Sequence, residues 1–203
     1  MKQKWISQIA LGLFVAQLLL MLLSWLLSAA FPVGRFRSLL SSEGLRWFLG
    51  RYADMLALPL LVWLLLLSMA YGCLAHSRLL RHLSSLSARH TYRERRALYM
   101  VLAVLAAYMV GIGLLTAVPH AVLLSATGRW WPSPFSASLV PLLAFGILVC
   151  SAVYGVIAGS LSTAEDVCGA MLAGIADGSP LLLLYVLSMQ LYMSVSFVFP
   201  FLI

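Results

Sequence analysis

Three acidic residues in the last quarter of the chain are the side chains best suited to contact an ion or a polar substrate. Glu165, Asp166 and Asp177 lie in residues 162–178, a segment without Lys or Arg. Glu165 and Asp166 are adjacent and would point about 100° apart on a helix, so they do not form the facing pair that acid–base catalysis uses. We therefore predict these three acids as substrate-binding candidates and not as catalytic residues.

Histidine and cysteine, the usual ligands of transition metals, do not show a metal-binding pattern. Cys73 and His76 would share one helix face, but two ligands do not make a metal site, and the other cysteines form no closely spaced pair. The sequence also has no phosphate-binding glycine loop and no nucleophile elbow. We expect no metal site, no cofactor and no enzymatic activity.

The composition places these residues in a membrane. Of the 203 residues, 63% are hydrophobic and only 9% are charged, whereas roughly 25% are charged in an average soluble domain. The formal net charge is +7, but the basic residues lie between apolar runs and not along a water-exposed face, which excludes a nucleic-acid binder. The sequence predicts an all-α, polytopic integral membrane protein with a single transmembrane domain over residues 1–203.

Five uncharged stretches are long enough to cross a hydrocarbon core of roughly 30 Å as helices. Ser179 would cap the last of them and Pro180 would open it. No span has a charge at its centre. We expect the deepest polar side chains, such as Gln17, to hydrogen-bond neighbouring helices, and contact with a substrate is the alternative. The first span is too long for a cleaved signal and is interpreted as an anchor. The predicted spans are residues 5–31, 55–75, 97–118, 138–160 and 180–203.

A basic loop between the second and third spans indicates the orientation. Lys and Arg resist transfer across the membrane, so this loop, residues 76–96, and the N-terminus are predicted to be cytoplasmic, with the C-terminus on the opposite side. The arginines of the loop either bind anionic lipid head groups or act on topology alone. They are Arg78, Arg81, Arg89, Arg93, Arg95 and Arg96.

The segment after the first span has an amphipathic pattern. Residues 41–56 predict an interfacial helix with Ser41 or Ser42 as its cap and Glu43 in its first turn. Its apolar side chains lie on one face, and Arg46 points elsewhere, as expected of a helix at the membrane surface.

The acidic segment, residues 162–178, also predicts a helix. Ser162 and Glu165 have the spacing of a capping box. Small residues follow, and at this density they let a second backbone approach closely. The segment is either a re-entrant arm or a cytoplasmic connector. The small residues that predict a packing interface are Gly169, Ala170 and Gly174.

Several motifs resemble a known family. Ser42-Glu43-Gly44-Leu45-Arg46-Trp47-Phe48 is similar to the segment after the first span of AbgT-type p-aminobenzoyl-glutamate transporters, and Gly128-Arg129-Trp130-Trp131-Pro132 is similar to their Gly-Arg-x-Pro stretch. The similarity covers residues 10–135 and continues more loosely to 177. The resemblance implies a core of two inverted repeats, of which this chain has only the first, in degenerate form.

The resemblance implies a component for the transport of small amphipathic organic anions, such as p-aminobenzoyl-glutamate, across a bacterial inner membrane. Because one repeat is missing, the site would be completed by another membrane protein or in a homo-oligomer. The alternative is a non-transporting structural or regulatory subunit of a larger inner-membrane complex, which the lack of intramembrane charge favours. In both interpretations the chain contacts the lipid bilayer and a further membrane chain.

Overall fold

The helices of the chain follow its apolar stretches. A computed structural model describes residues 2–31, 36–56, 59–80, 92–117 and 134–200, most of which are helical. This confirms the all-α fold class. The helices are α1 (Lys2–Ala30), α2 (Ser42–Gly50), α3 (Tyr52–Leu56), α4 (Pro59–Ser77), α5 (Tyr92–Ala117), α6 (Pro134–Ala158) and α7 (Ala164–Val198).

Five of these helices, α1, α4, α5, α6 and α7, are long and apolar enough to cross a bilayer. They occur in the order of the five predicted spans and support a multi-pass membrane protein. Large apolar side chains on their surfaces are exposed, among them Trp5, Leu19 and Leu114. A water-soluble protein does not expose apolar surface on this scale, so lipid covers these side chains.

Helix α7 is longer than the fifth predicted span and begins at Ala164 and not at residue 180. Its 35 residues extend for about 52 Å at the rise of an α-helix. Pro180 lies inside the helix, which membrane helices tolerate because neighbouring groups satisfy the freed backbone. The predicted helix start at Ser179 and Pro180 is therefore wrong. Residues 164–178 are the first half of α7 and continue without a break into its second half.

The predicted interfacial helix consists of two helices, α2 and α3, separated at Arg51. Ser41 is the N-cap of α2, because its side chain accepts a hydrogen bond from the backbone N–H of Gly44 at 3.0 Å. Gly44 is buried, and a Cβ there would overlap the carbonyl oxygens of Ser38 and Leu39. The glycine thus lets α2 turn back closely onto the segment that precedes it.

Contacts between residues group the chain into two compact units. The terminal unit comprises Met1–Val62 and Ser179–Ile203, and the central unit comprises Trp63–Gly178. The first half of α7 therefore belongs to the central unit, and its second half belongs to the terminal unit.

The terminal unit has an apolar and aromatic core. Leu39, Phe197 and Val198 are buried together, and the ring of Trp47 stacks on that of Phe197 with their centroids 4.3 Å apart. The backbone N–H of Arg37 donates to the carbonyl of Val198 at 3.3 Å. The end of α7 is thus held by the segment between α1 and α2 and by α2 itself.

Hydrogen bonds between polar side chains add to this packing, as the sequence predicts for polar groups inside spans. The amide nitrogen of Gln17 donates to the hydroxyl of Ser194 at 2.9 Å, and both residues are buried. The hydroxyl of Ser24 accepts a hydrogen bond from the backbone N–H of Leu39 at 3.1 Å. These bonds link α1 to α7 and to the segment before α2.

The central unit contains a helical pair and a small buried cluster. Helices α5 and α6 lie side by side, and the hydroxyl of Tyr108 donates to the carbonyl of Leu142 at 2.8 Å. Cys73, Leu161 and Ala170 are buried together. This cluster joins α4, the turn after α6 and the first half of α7.

Candidate functional site

Helix α4 and the first half of α7 cross with their backbones in direct contact. A Cβ on Gly72 would overlap the carbonyl oxygen of Ala170 and approach Gly174 Cα to 2.5 Å. A Cβ on Gly174 would overlap the carbonyl oxygen of Ser68 and approach Gly72 Cα to 2.6 Å. Only glycine fits at these two positions, as in closely packed membrane helices.

The crossing uses two of the three predicted packing residues. Ala170 is buried and 3% exposed, and Gly174 is buried as well. Gly169 is exposed, and a Cβ there would meet nothing within 4 Å. The surface joins α7 to α4 of the same chain, whereas the sequence left its partner open. In the sequence, the pattern that indicates the partner surface on α4 is a pair of small residues four positions apart, Ser68 and Gly72.

This crossing also fixes the depth of Asp177. A Cβ on Gly178 would lie 2.8 Å from the Cβ of Ser68, and Ser68 is the middle residue of α4, Pro59–Ser77. Asp177 is therefore level with the middle of a membrane-crossing helix. It also lies about 20 Å along α7 from Ala164, by the rise per residue of an α-helix.

The expectation that no span has a charge at its centre bears directly on Asp177. It rested on a fifth span that begins at residue 180, whereas α7 includes Asp177. The side chain of Asp177 is exposed, and no residue in the described part of the chain donates a hydrogen bond or forms an ion pair to it. A carboxylate facing lipid at the bilayer centre costs about 2.5–3.5 kcal/mol on insertion scales. Asp177 is the strongest functional candidate of the three acids.

The other two acids lie at the start of α7. Asp166 is part of a capping box, in which its carboxylate accepts hydrogen bonds from the backbone N–H groups of Ser162 and Thr163, both at 2.9 Å. The hydroxyl of Thr163 accepts the backbone N–H of Asp166 at 3.1 Å. The predicted box of Ser162 and Glu165 is thus wrong by one residue, since neighbouring Ser and Thr residues offer the same spacing. Glu165 is exposed.

The structure does not bring the three acids together. Asp166 and Asp177 lie on nearly the same face of α7 but about 16 Å apart along it. Asp166 stabilises the helix start, whereas Asp177 is level with Ser68 of α4.

The basic residues gather at one end of the central unit. Arg78 directly follows α4, and Arg93, Arg95 and Arg96 lie in α5, which begins at Tyr92. The last three are therefore helical, and the predicted loop over residues 76–96 is too long. Arg81 and Arg89 lie outside the described residues.

Two contacts show that the end of α4, the start of α5 and the turn after α6 lie close together. The hydroxyl of Ser160, in the turn after α6, donates to the carbonyl of Ser77 at 3.1 Å. A Cβ on Gly159 would lie 3.8 Å from the guanidinium of Arg93. Arg78 and Arg93 thus flank the same turn, and we call this region the basic end.

The basic end contains a polar cleft. Its volume is about 500 Å³, and His76, Arg78 and Ser160 contribute polar groups to its lining. The ring of His76 donates from Nδ1 to the carbonyl of Gly72 at 2.9 Å, because a carbonyl only accepts. The Nε2 atom of His76 is then left for other partners. The cleft suits an anion.

Metal ligands do not cluster in the part of the chain that the structure describes. Over residues 2–31, 36–56, 59–80, 92–117 and 134–200, no three His, Cys, Asp or Glu side chains lie close enough to hold one ion. Cys73 is buried in the apolar cluster of the central unit and behaves there as a small hydrophobic residue.

Comparisons with known proteins agree with this architecture. A family model described as the AbgT putative transporter family matches residues 75–197, more than half of the chain. The fold is also similar to the crystal structure of the Alcanivorax borkumensis YdaH transporter, with a TM-score of 0.72 and 16% sequence identity. That similarity covers 92% of this chain and 70% of the transporter chain. No curated protein matches.

The helices and these comparisons therefore define a polytopic membrane protein with a transporter fold. The chain belongs to the AbgT transporter family. The predicted resemblance is confirmed, but the matched range lies further toward the C-terminus than residues 10–135 and does not include Ser42–Phe48. It does include the α7 side of the crossing, the basic end and Asp177, whereas Ser68 and Gly72 on α4 precede the matched range.

Proposed function

We propose that the chain is a component of a carrier for small amphipathic organic anions, in which Asp177 carries the coupling cation. The supporting observation is the position of Asp177, exposed and level with the middle of α4. Ionisable residues at this depth are rare and mark ion pathways and proton relays. Membership in a transporter family supports the same function. The proposal includes no enzymatic step.

The role of Asp177 in such a carrier follows from the chemistry of a carboxylate. A proton or a small cation neutralises Asp177 and so lowers the cost of placing it in the hydrocarbon. The ionised carboxylate repels an anion such as p-aminobenzoyl-glutamate, whereas the neutralised carboxyl group does not. Cation binding at Asp177 therefore favours anion binding nearby, which couples the two movements.

The proposed transport path also needs residues on the side that faces away from α4 and α7. Asp177 is exposed, and the described residues supply no partner for it. In carriers built from two repeats, the site lies between the repeats near the bilayer midplane. We propose that another copy of the chain or another membrane protein supplies the missing side, opposite the crossing of α4 and α7.

The alternative function is that of a non-transporting structural or regulatory subunit. The sequence favours it by the lack of intramembrane charge, and in this interpretation the small-residue surface holds a partner. The depth of Asp177 counters the first, and the packing of Gly174 on Gly72 within one chain counters the second. Transport is therefore the function that the geometry supports better.

The proposed location is a bacterial inner membrane, with the basic end in the cytoplasm. Arg78, Arg93, Arg95 and Arg96 all lie at this end of the central unit. Clustered arginines at span ends resist translocation, so they stay on the cytoplasmic side. Five crossings then put the N-terminus inside and the C-terminus outside.

Uptake by an Asp177→Asn variant tests the proposal. Asparagine keeps the size of the side chain and removes its negative charge. We expect uptake of radiolabelled p-aminobenzoyl-glutamate into vesicles, under an imposed proton or sodium gradient, to fall at least about tenfold, a barrier change of about 1.4 kcal/mol. The matched control is Asp166→Asn, the same substitution on the same helix, where the amide oxygen still accepts the backbone N–H groups of Ser162 and Thr163 and uptake stays within twofold.

Folding is checked by the elution volume and melting temperature of each purified variant. A folded Asp177→Asn protein with unchanged uptake would remove Asp177 from the mechanism. A folded parent protein that takes up no organic anion under either gradient, alone or with the membrane proteins that copurify with it, would favour the subunit function.

A further inference from the structure

We propose that the basic end binds one anionic phospholipid, with its phosphate between Arg78 and Arg93 and one acyl chain in an adjoining apolar groove. This site is separate from Asp177 and does not depend on transport. The proposal rests on the cleft, on an apolar groove beside it, and on the backbone conformation of Arg78.

The polar cleft supplies the groups that recognise the phosphate. Arg78 and His76 line it, and the guanidinium of Arg93 lies near Gly159, which lines it as well. Arginine binds phosphate oxygens through parallel N–H donors, which makes two of them an effective anion site. No acidic residue lines the cleft over the described residues.

Arg78 has a backbone conformation that normally favours glycine. Its φ angle is 61°, in the left-handed region that ends many helices and that strains residues with a Cβ. An arginine here weakens the end of α4 and places a guanidinium at the cleft. Strain of this kind at a helix end is consistent with a binding role for the side chain.

An apolar groove lies beside the cleft. Its volume is about 610 Å³, and it runs between α4, α5 and α6, where Leu74, Leu98, Leu102 and Ile147 contribute to its lining. Leu102 is 59% exposed, so the groove is open to the surrounding lipid. A groove of this kind is large enough for one fatty-acyl chain.

The cleft and the groove share one short stretch of chain. Ala75, His76 and Arg78 line the cleft, whereas Leu74 and Leu79 line the groove. Basic and apolar surfaces thus meet at the end of α4, where head groups meet hydrocarbon. An occupant that satisfies both carries an anion on a long apolar chain, which is the chemistry of an anionic phospholipid.

Native mass spectrometry of the purified full chain tests the proposal. The probes are phosphatidylglycerol, phosphatidylcholine and glycerol 3-phosphate, each titrated into detergent-solubilised protein. We expect one phosphatidylglycerol per chain, at least tenfold weaker binding of phosphatidylcholine, and no competition from glycerol 3-phosphate.

Two variants separate the head-group and acyl contacts. Arg78→Gly removes the guanidinium and suits the φ of 61°, so its melting temperature without lipid stays equal or rises while phosphatidylglycerol binding falls at least tenfold. Leu102→Trp fills the groove from its open side and lowers binding to a similar extent. The controls are Arg51→Gly, also at a helix end, and Tyr99→Trp, a residue 75% exposed that lines neither cavity. Both keep parental binding.

Three results would overturn the proposal. Parental binding by Arg78→Gly would exclude the cleft, and equal binding of phosphatidylcholine would exclude recognition of net charge. Parental binding by Leu102→Trp together with full competition by glycerol 3-phosphate would indicate a site for a free phosphate and not for a lipid.

Discussion

The two halves of α7 pack in different ways. The first half, in the central unit, meets α4 through Gly72 and Gly174, whose backbones are in direct contact. The second half, in the terminal unit, packs through side chains, with Trp47 stacked on Phe197 and Gln17 bonded to Ser194. One continuous helix therefore combines a rigid backbone crossing with a more adaptable side-chain interface.

This difference bears on function because Asp177 lies in the rigid half. A backbone contact leaves almost no freedom for one helix to slide along the other, since any shift brings a Cα or a carbonyl into collision. The carboxylate is thereby held at one depth relative to α4. Stacked rings and long side chains tolerate small shifts by changing rotamer.

The largest effect is expected from breaking the rigid crossing with Gly174→Leu. A side chain at this position overlaps the carbonyl of Ser68 and the backbone of Gly72, which cannot move aside as a flexible side chain would. Overpacking of this kind costs about 1–3 kcal/mol or more. We expect a large fall in melting temperature and in the yield of monodisperse protein.

Gly169→Leu is the matched control for that substitution. Gly169 lies on the same helix, and a Cβ there meets nothing within 4 Å, so the melting temperature is expected to stay the same or rise. Equal melting temperatures of Gly174→Leu and Gly169→Leu would contradict the backbone contact between α4 and α7.

A smaller effect is expected in the side-chain half from Ser194→Ala. This variant leaves the buried amide of Gln17 without its partner, and we expect a loss of about 1 kcal/mol, which lies between the average of about 0.6 and the maximum of about 1.7 for hydrogen bonds between membrane helices. The double variant Gln17→Leu with Ser194→Ala removes both polar groups and should recover most of that loss. Thermal melting of the four proteins of this cycle measures the coupling, and additive losses would contradict it.

Much of the fold follows from local patterns in the sequence. Uncharged runs of the right length give the five long helices, and Ser41 is a recognisable cap because its spacing to Gly44 is local. The density of small residues around Ala170 and Gly174 is a local pattern, and these two residues lie where α7 packs closely on α4. These features depend on neighbours within one or two helical turns.

The features that decide the candidate site are not local. Pro180 is a good residue with which to begin a helix, and only its surroundings determine that α7 continues through it. Ser162 and Thr163 each have an acidic residue three positions later, so their spacing alone does not decide which of them caps α7. That Thr163 is the cap depends on the conformation of the turn after α6. The depth of Asp177 requires the contact between Gly178 and Ser68, which no pattern within residues 162–178 contains.

The most direct test of the account is a measurement of the depth of position 177 in a bilayer. Asp177→Cys and Glu165→Cys are each labelled with a small fluorophore, in a background with Cys150 and Cys168 replaced by Ser, and quenched by lipids that carry nitroxides at different depths. The account predicts that deep acyl-chain nitroxides quench the label at 177 most and head-group nitroxides quench the label at 165 most. Stronger quenching by head-group nitroxides at both positions would contradict an intramembrane carboxylate.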